Sequence, residues 1–135
     1  AKQLFLQREV ICFAGDGCFM MHGQEFATAI RYNLPIITLV INNSMYGTIR
    51  MHQEREYPTH VTGSQLSNPD FVMLAQAYGY AATRIHKTGQ FEQALLDALQ
   101  RPQGTLIEVM LDPEVITTRG TLSAITESAL AKRQA

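Results

Sequence analysis

At 135 residues, 46% hydrophobic and 17% charged, the chain has enough apolar material for one globular domain without disulfides or metals to hold it. A formal net charge of -1 offers neither the basic surface that nucleic acid needs nor a polybasic membrane patch, and no apolar run reaches spanning length. The two cysteines, Cys12 and Cys18, lack metal-binding spacing, and the N-terminal AKQLFLQREV is not a secretory signal, so a cytoplasmic location is expected.

Ala1 to Gln7 reads as the tail of a helix, an unusual opening that suggests a fragment of a longer polypeptide. Val10 to Ala14 (VICFA) is a short apolar strand that stops on Gly15-Asp16-Gly17. Residues 22–33 read as an amphipathic helix with Phe26, Ala27, Ala29 and Ile30 on one side, Asn33 as its C-cap and Pro35 beyond. Pro35 to Ile41 (PIITLVI) is a buried-strand pattern that stops on Asn42-Asn43. Together these make one βαβ unit. Its two strands are parallel, so Asp16 and Asn43 are expected to face one crevice at the carboxyl edge of the sheet.

Ser44-Met45-Tyr46-Gly47 reads as a tight turn, and residues 48–56 as a short helix with Ile49, Met51 and His52 facing inward and Arg50, Glu54, Arg55 and Glu56 on a solvated face. Residues 57–68, rich in Pro, Gly, Ser and Thr, read as a functional loop. Ser67-Asn68-Pro69-Asp70 opens a helix over 70–78, with a cap residue before a proline at the first helical position. A strand over 81–86, a helix over 89–100 ended by Pro102, and a strand over 105–111 follow. Residues 117–135 carry Leu122, Ile125 and Leu130 at helical spacing and read as a loosely attached tail that docks when a partner is present. The fold class is α/β: a parallel β-sheet with helices on both faces.

A carboxylate and a carboxamide at neighbouring strand ends are hard oxygen donors, too few to cage Ca²⁺. They suit Mg²⁺, which fills its octahedron with water and phosphate oxygens. The glycines beside Asp16 remove Cβ where backbone approaches a ligand, and a helix following Gly17 turns free N–H groups towards an anion. A carboxylate repels phosphate unless a divalent cation bridges them. The residues therefore point to a Mg²⁺–diphosphate site.

Gly15-Asp16-Gly17, the intervening spacer and Asn42-Asn43 match the diphosphate-binding motif of thiamine diphosphate enzymes. The text GDGCFMMHGQEFATAIRYNLPIITLVINNSMYG, continuing through NPDFVMLAQAYGY to GTLIEVMLDPE, resembles the C-terminal cofactor domain of the acetolactate synthase-like group. The resemblance implies the thiamine diphosphate-binding fold. It implies thiamine diphosphate held through Mg²⁺, with Asp16, Asn43 and the main-chain carbonyl of Met45 as ligands. It also implies backbone N–H groups of Gly17, Cys18 and Tyr46 on phosphate, with Gly15 and Gly47 completing the binding turns. The family often has a polar residue where this chain has Met45, a difference that a carbonyl ligand tolerates. It implies, too, a small-molecule 2-oxo acid as the substrate class and a homo-dimer or tetramer as the assembly. The glutamate that activates the cofactor lies in a separate N-terminal domain in this family, so this chain is expected to hold no catalytic residue and to be silent alone.

Two other readings remain. One is a non-catalytic cofactor-binding or assembly domain; the other is a Mg²⁺-dependent receiver- or phosphatase-like domain, which calls for an acid cluster and a lysine on the same edge. Glu25 and Lys87 do not supply these. His22 reads as a helix-cap or surface residue, and His60 as a loop residue. Met20 and Met21 read as packing.

Overall fold

A computed structural model describes residues 1–134; Ala135, the last residue of the predicted tail, lies outside them. The chain divides into two units, Ala1–Asn42 with Asn68–Met110, and Asn43–Ser67 with Leu111–Ala135.

The first unit is a four-stranded, fully parallel sheet of β1 (Ile11–Gly15), β2 (Ile37–Asn42), β3 (Ala81–Ile85) and β4 (Thr105–Met110), in the order β1-β2-β4-β3. β2 and β4 are central and rich in β-branched residues, whose side chains suit a pleated surface covered on both faces. Alternation along β2 sends Val40 to one face and Ile37 and Leu39 to the other. On the first face Val40 and Leu106 meet Phe19 of α1 (Asp16–His22), Phe26 of α2 (Phe26–Arg31), and Phe71 and Ala75 of a helix over Phe71–Ala77. Phe26 stacks on Tyr80 at 4.0 Å between centroids, and Phe19 meets Phe71 edge-on at 5.4 Å. Burying each phenylalanine contributes about 1.5–3 kcal/mol. On the second face Ile37, Leu39, Ile85 and Ile107 pack under a helix over Phe91–Leu99.

Several local expectations change. Residues 1–8 form turns, not a helical tail, with Lys2 Nζ donating to the Arg8 carbonyl at 2.7 Å. The single helix predicted over 22–33 is broken: α1 starts at Asp16, and a 3-10 turn over Gly23–Glu25 separates it from α2. A Cβ on Gly23 would lie 2.9 Å from the Phe19 ring, so the chain passes closer to that ring than any other residue permits. Asn33, at φ 49°, ends α2 in the left-handed region that the C-cap reading requires. β1 is an edge strand, and Phe13 on it is 72% exposed.

The second unit contains α3 (Gly47–Glu56), a two-stranded antiparallel ribbon of β5 (Val115–Thr117) and β6 (Gly120–Thr121), and α6 (Leu122–Gln134), numbered after α4 (Phe71–Ala77) and α5 (Phe91–Leu99) of the first. Residues 117–134 are thus a ribbon strand and a helix, and α6 packs against α3, burying Leu122 and Ala129. The solvated face predicted for α3 is also corrected. Glu54 is 4% exposed, while Ile49, expected inward, is exposed. Glu54 is held by Arg50 Nη2 at 2.8 Å, Thr126 Oγ1 at 2.9 Å and the Thr59 N–H at 3.2 Å. Those donors make burial of a carboxylate tolerable.

Candidate cofactor site

Within the first unit, β1 and β2 run side by side with Gly15 opposite Ile41, so Asp16 and Asn42 leave the sheet at the same level. Asp16 is the first residue of α1 and is only 2% exposed. Its Oδ1 accepts the Gly17 N–H at 3.0 Å, and its Oδ2 accepts Asn68 Nδ2 at 2.8 Å. Both donors are neutral. Among the described residues no lysine, arginine or histidine forms an ion pair with Asp16.

Asn68 also donates to Asn42 Oδ1 at 3.0 Å, and Asn42 Nδ2 donates to Glu108 Oε1 at 2.7 Å. Glu108, 2% exposed, accepts Arg84 Nε at 2.6 Å through its other oxygen, and Arg84 reaches Asp70 at 3.1 Å. The Arg84 guanidinium remains charged: its bond to Glu108 raises its pKa above the ordinary arginine value, against burial, with Asp70 adding to the effect. The Met73 N–H, followed by Arg84, holds the Asp70 carboxyl below its ordinary value despite partial desolvation.

The sequence reading missed this network. It assigns Asn68 to a helix cap, but Asp70 is the N-cap, accepting the Met73 N–H at 2.9 Å. A signal was present: two cap-type residues flank Pro69, and one helix start uses only one. Glu108 within TLIEVML is another, since a carboxylate in a buried strand needs a partner.

In the second unit, Asn43 Oδ1 accepts the Met45 N–H at 3.3 Å across Ser44, which sits at φ 57°. The Tyr46 N–H donates to the Ser64 carbonyl at 2.8 Å, and the Leu66 N–H to the Ser44 carbonyl at 2.9 Å. Neither bond uses the Met45 carbonyl, the atom expected as a ligand. Gly47 begins α3, and a Cβ there would fall 3.0 Å from Asn43 Nδ2 and 2.8 Å from Ile116 Cδ1. Gly47 therefore leaves room for the Asn43 amide.

Of the three N–H groups expected on phosphate, those of Gly17 and Tyr46 have acceptors inside the protein. Cys18, exposed, lies in the first turn of α1, where an N–H has no intrahelical acceptor. His22 and His60 are exposed.

A parallel α/β sheet that buries a carboxylate without a cation at its carboxyl edge has the architecture of a cofactor-binding domain, since open sheets of this kind take ligands outside the carboxyl ends of their strands. Comparison with known proteins makes the class specific. Residues 1–109 match the family described as thiamine pyrophosphate enzyme, C-terminal TPP binding domain, and the chain belongs to that family. The acetolactate synthase large subunit of Parasynechococcus marenigrum is 36% identical over 104 residues, covering 76% of this chain and 17% of that protein. The acetolactate synthase isozyme 3 large subunit of Escherichia coli is 35% identical over 101 residues, covering 74% and 18%. A thiamine diphosphate-dependent 4-hydroxybenzoylformate decarboxylase of Rhodococcus jostii superposes with a TM-score of 0.77 at 29% identity, covering 83% of this chain and 21% of that one. The chain thus spans under a fifth of the length of these two synthase subunits. Fold, family and thiamine diphosphate as cofactor agree with the sequence reading.

Proposed function

We propose that this chain forms the thiamine diphosphate- and Mg²⁺-binding part of an enzyme that decarboxylates or ligates 2-oxo acids, of acetolactate synthase type. Asp16, Asn43 and the Met45 carbonyl are the proposed metal ligands, with Gly15, Gly17, Cys18, Tyr46 and Gly47 lining the diphosphate. One observation carries the reading: Asp16 is a buried carboxylate whose hydrogen-bond donors are all neutral. An uncompensated buried charge is costly, and a divalent cation compensates it. Its two hydrogen bonds leave other lone pairs on the same oxygens for a metal. The buried Asn68 Oδ1 has no donor among the described residues, which suits a site completed by a hydrated ion. A receiver-type reading needs gathered acids; among the described residues no group of three His, Cys, Asp or Glu side chains is placed to hold a metal.

When bound, thiamine diphosphate supplies the nucleophilic carbon that attacks a 2-oxo acid and the ring that stores the electrons as CO₂ leaves. This chain's residues anchor and orient the diphosphate end, which fixes where the reactive carbon meets its substrate. The proposed whole protein is a cytoplasmic homo-dimer or tetramer in which other domains add the activating glutamate; no described helix is long and apolar enough to cross a membrane. Calorimetry tests the reading. Thiamine diphosphate should bind in a Mg²⁺-dependent manner, and Asp16→Ala should abolish the heat. Equal binding by the variant removes the metal-anchored site. Turnover of a 2-oxo acid by the isolated chain overturns the expectation that it is silent.

A further inference from the structure

The Asp16 carboxylate is not oriented by its own loop alone. Glu108 accepts Arg84 Nε through one carboxyl oxygen and the Asn42 amide nitrogen, at 2.7 Å, through the other. Asn42 Oδ1 is thereby turned to Asn68. The Asn68 amide has two N–H bonds, and both are used: one on Asn42 Oδ1 at 3.0 Å and one on Asp16 Oδ2 at 2.8 Å. Rotating that amide by half a turn would set its oxygen against two acceptors, so its orientation is determined from both ends. The result leaves Asn68 Oδ1 buried with no donor among the described residues, an arrangement a fold optimised for stability alone would avoid.

We propose that Asn68 is a positioning residue for the metal ligand Asp16, transmitting the fixed orientation of the Glu108–Asn42 pair to the Asp16 carboxylate. The proposal rests on the reading of Asp16 as a Mg²⁺ ligand. Mg²⁺ demands a near-ideal octahedron, whereas Ca²⁺ accepts irregular ones. A carboxylate released from its clamp therefore loses Mg²⁺ preferentially.

The test is calorimetric titration of the full chain with thiamine diphosphate plus Mg²⁺, then plus Ca²⁺, for wild type, Asn68→Ala and Asn68→Ser, each with a thermal melt. Asn68→Ala is expected to weaken Mg²⁺-dependent binding about 10–100-fold, the range for removing a residue that orients a metal ligand. The loss with Ca²⁺ should be markedly smaller, and the melting temperature little changed. Asn68→Ser keeps one donor for two acceptors and carries the same readout should the alanine variant not fold. Wild-type Mg²⁺ affinity in a folded variant overturns the proposal. So does an equal loss for both ions together with a lowered melting temperature, the mark of a merely structural residue. Asp16→Ala separates the two levels: if wild type and Asp16→Ala bind alike, the metal-site reading fails; if only Asp16→Ala loses binding, the clamp alone fails.

Discussion

Asp16 and Glu108 are carboxylates of the same unit, each 2% exposed, yet they are satisfied differently. Glu108 lies in the middle of the sheet and has a guanidinium at 2.6 Å as well as an amide at 2.7 Å. Asp16, at a strand end, has only a backbone N–H and a carboxamide among the described residues. The fold completes the charge balance of Glu108 internally and leaves that of Asp16 open. A buried acid with its own arginine is part of the scaffold; one with neutral donors alone fits the proposed role of holding a cation from outside.

The comparison is broken most severely at Arg84. Arg84→Met should strand Glu108 in the sheet with only Asn42, destabilising the first unit by about 3 kcal/mol, the lower end for breaking a buried pair because Arg84 is partly exposed. Urea unfolding measures it. Asp16→Asn, by contrast, removes a charge without a partner but turns its NH2 towards one of the two donors, so only about 1 kcal/mol is expected to go. A loss at Asp16 as large as that at Arg84 would erase the distinction.

Ligand binding should invert the order. Asp16→Asn is expected to weaken Mg²⁺-dependent binding of thiamine diphosphate at least about 100-fold, or about 2.7 kcal/mol, read by calorimetry. Glu108→Gln keeps a group of the same shape beside Asn42 and should lose far less. In the second unit Gly47→Ala is a milder intervention. Its Cβ would push on Asn43 Nδ2 and Ile116 Cδ1, both flexible tips, so about 1 kcal/mol of stability is expected to go. Displacing the Asn43 amide should weaken Mg²⁺-dependent binding about tenfold. Wild-type affinity in Gly47→Ala would show that the Asn43 amide does not need that room.

What the sequence made legible follows from how local each signal is. β1 and β2 stop on Gly15-Asp16-Gly17 and Asn42-Asn43, where β-branched runs give way abruptly to turn residues, and such boundaries need only neighbours along the chain. Asn33 as a helix stop is equally local. Glu108 with Arg84 was not legible, because the pairing depends on β4 lying between β2 and β3, and no local pattern encodes that order. Asn68 was misread because a helix-start pattern explains the same letters, and its real acceptors, Asp16 and Asn42, lie 52 and 26 residues away. The break at Gly23 was hidden since it comes from contact with Phe19, and a short ribbon at 115–121 carries too few residues for a period.

The smallest expected effect lies with the third buried carboxylate, Glu54, which resembles Glu108 in having an arginine of its own. Burial pushes its carboxyl up, but the hydrogen bonds from Thr126, the Thr59 N–H and Arg50, with the Arg50 charge, together hold it below the ordinary value of 4.5. A group whose folded value is depressed contributes stability that is fully present above its unfolded value and is lost as pH falls through the folded one. Protection of α3 and α6 amides from hydrogen exchange should therefore be constant from neutral pH down to about 5 and decline below about 4.5, after correction for intrinsic exchange. Glu54→Gln should flatten that decline, since the amide does not titrate there, while lowering protection at neutral pH by weakening the contacts to Arg50 and Thr126. An undiminished decline in the glutamine variant would assign it to other carboxylates, and the Arg50–Glu54 pair would then have no part in the acid sensitivity of α3 and α6.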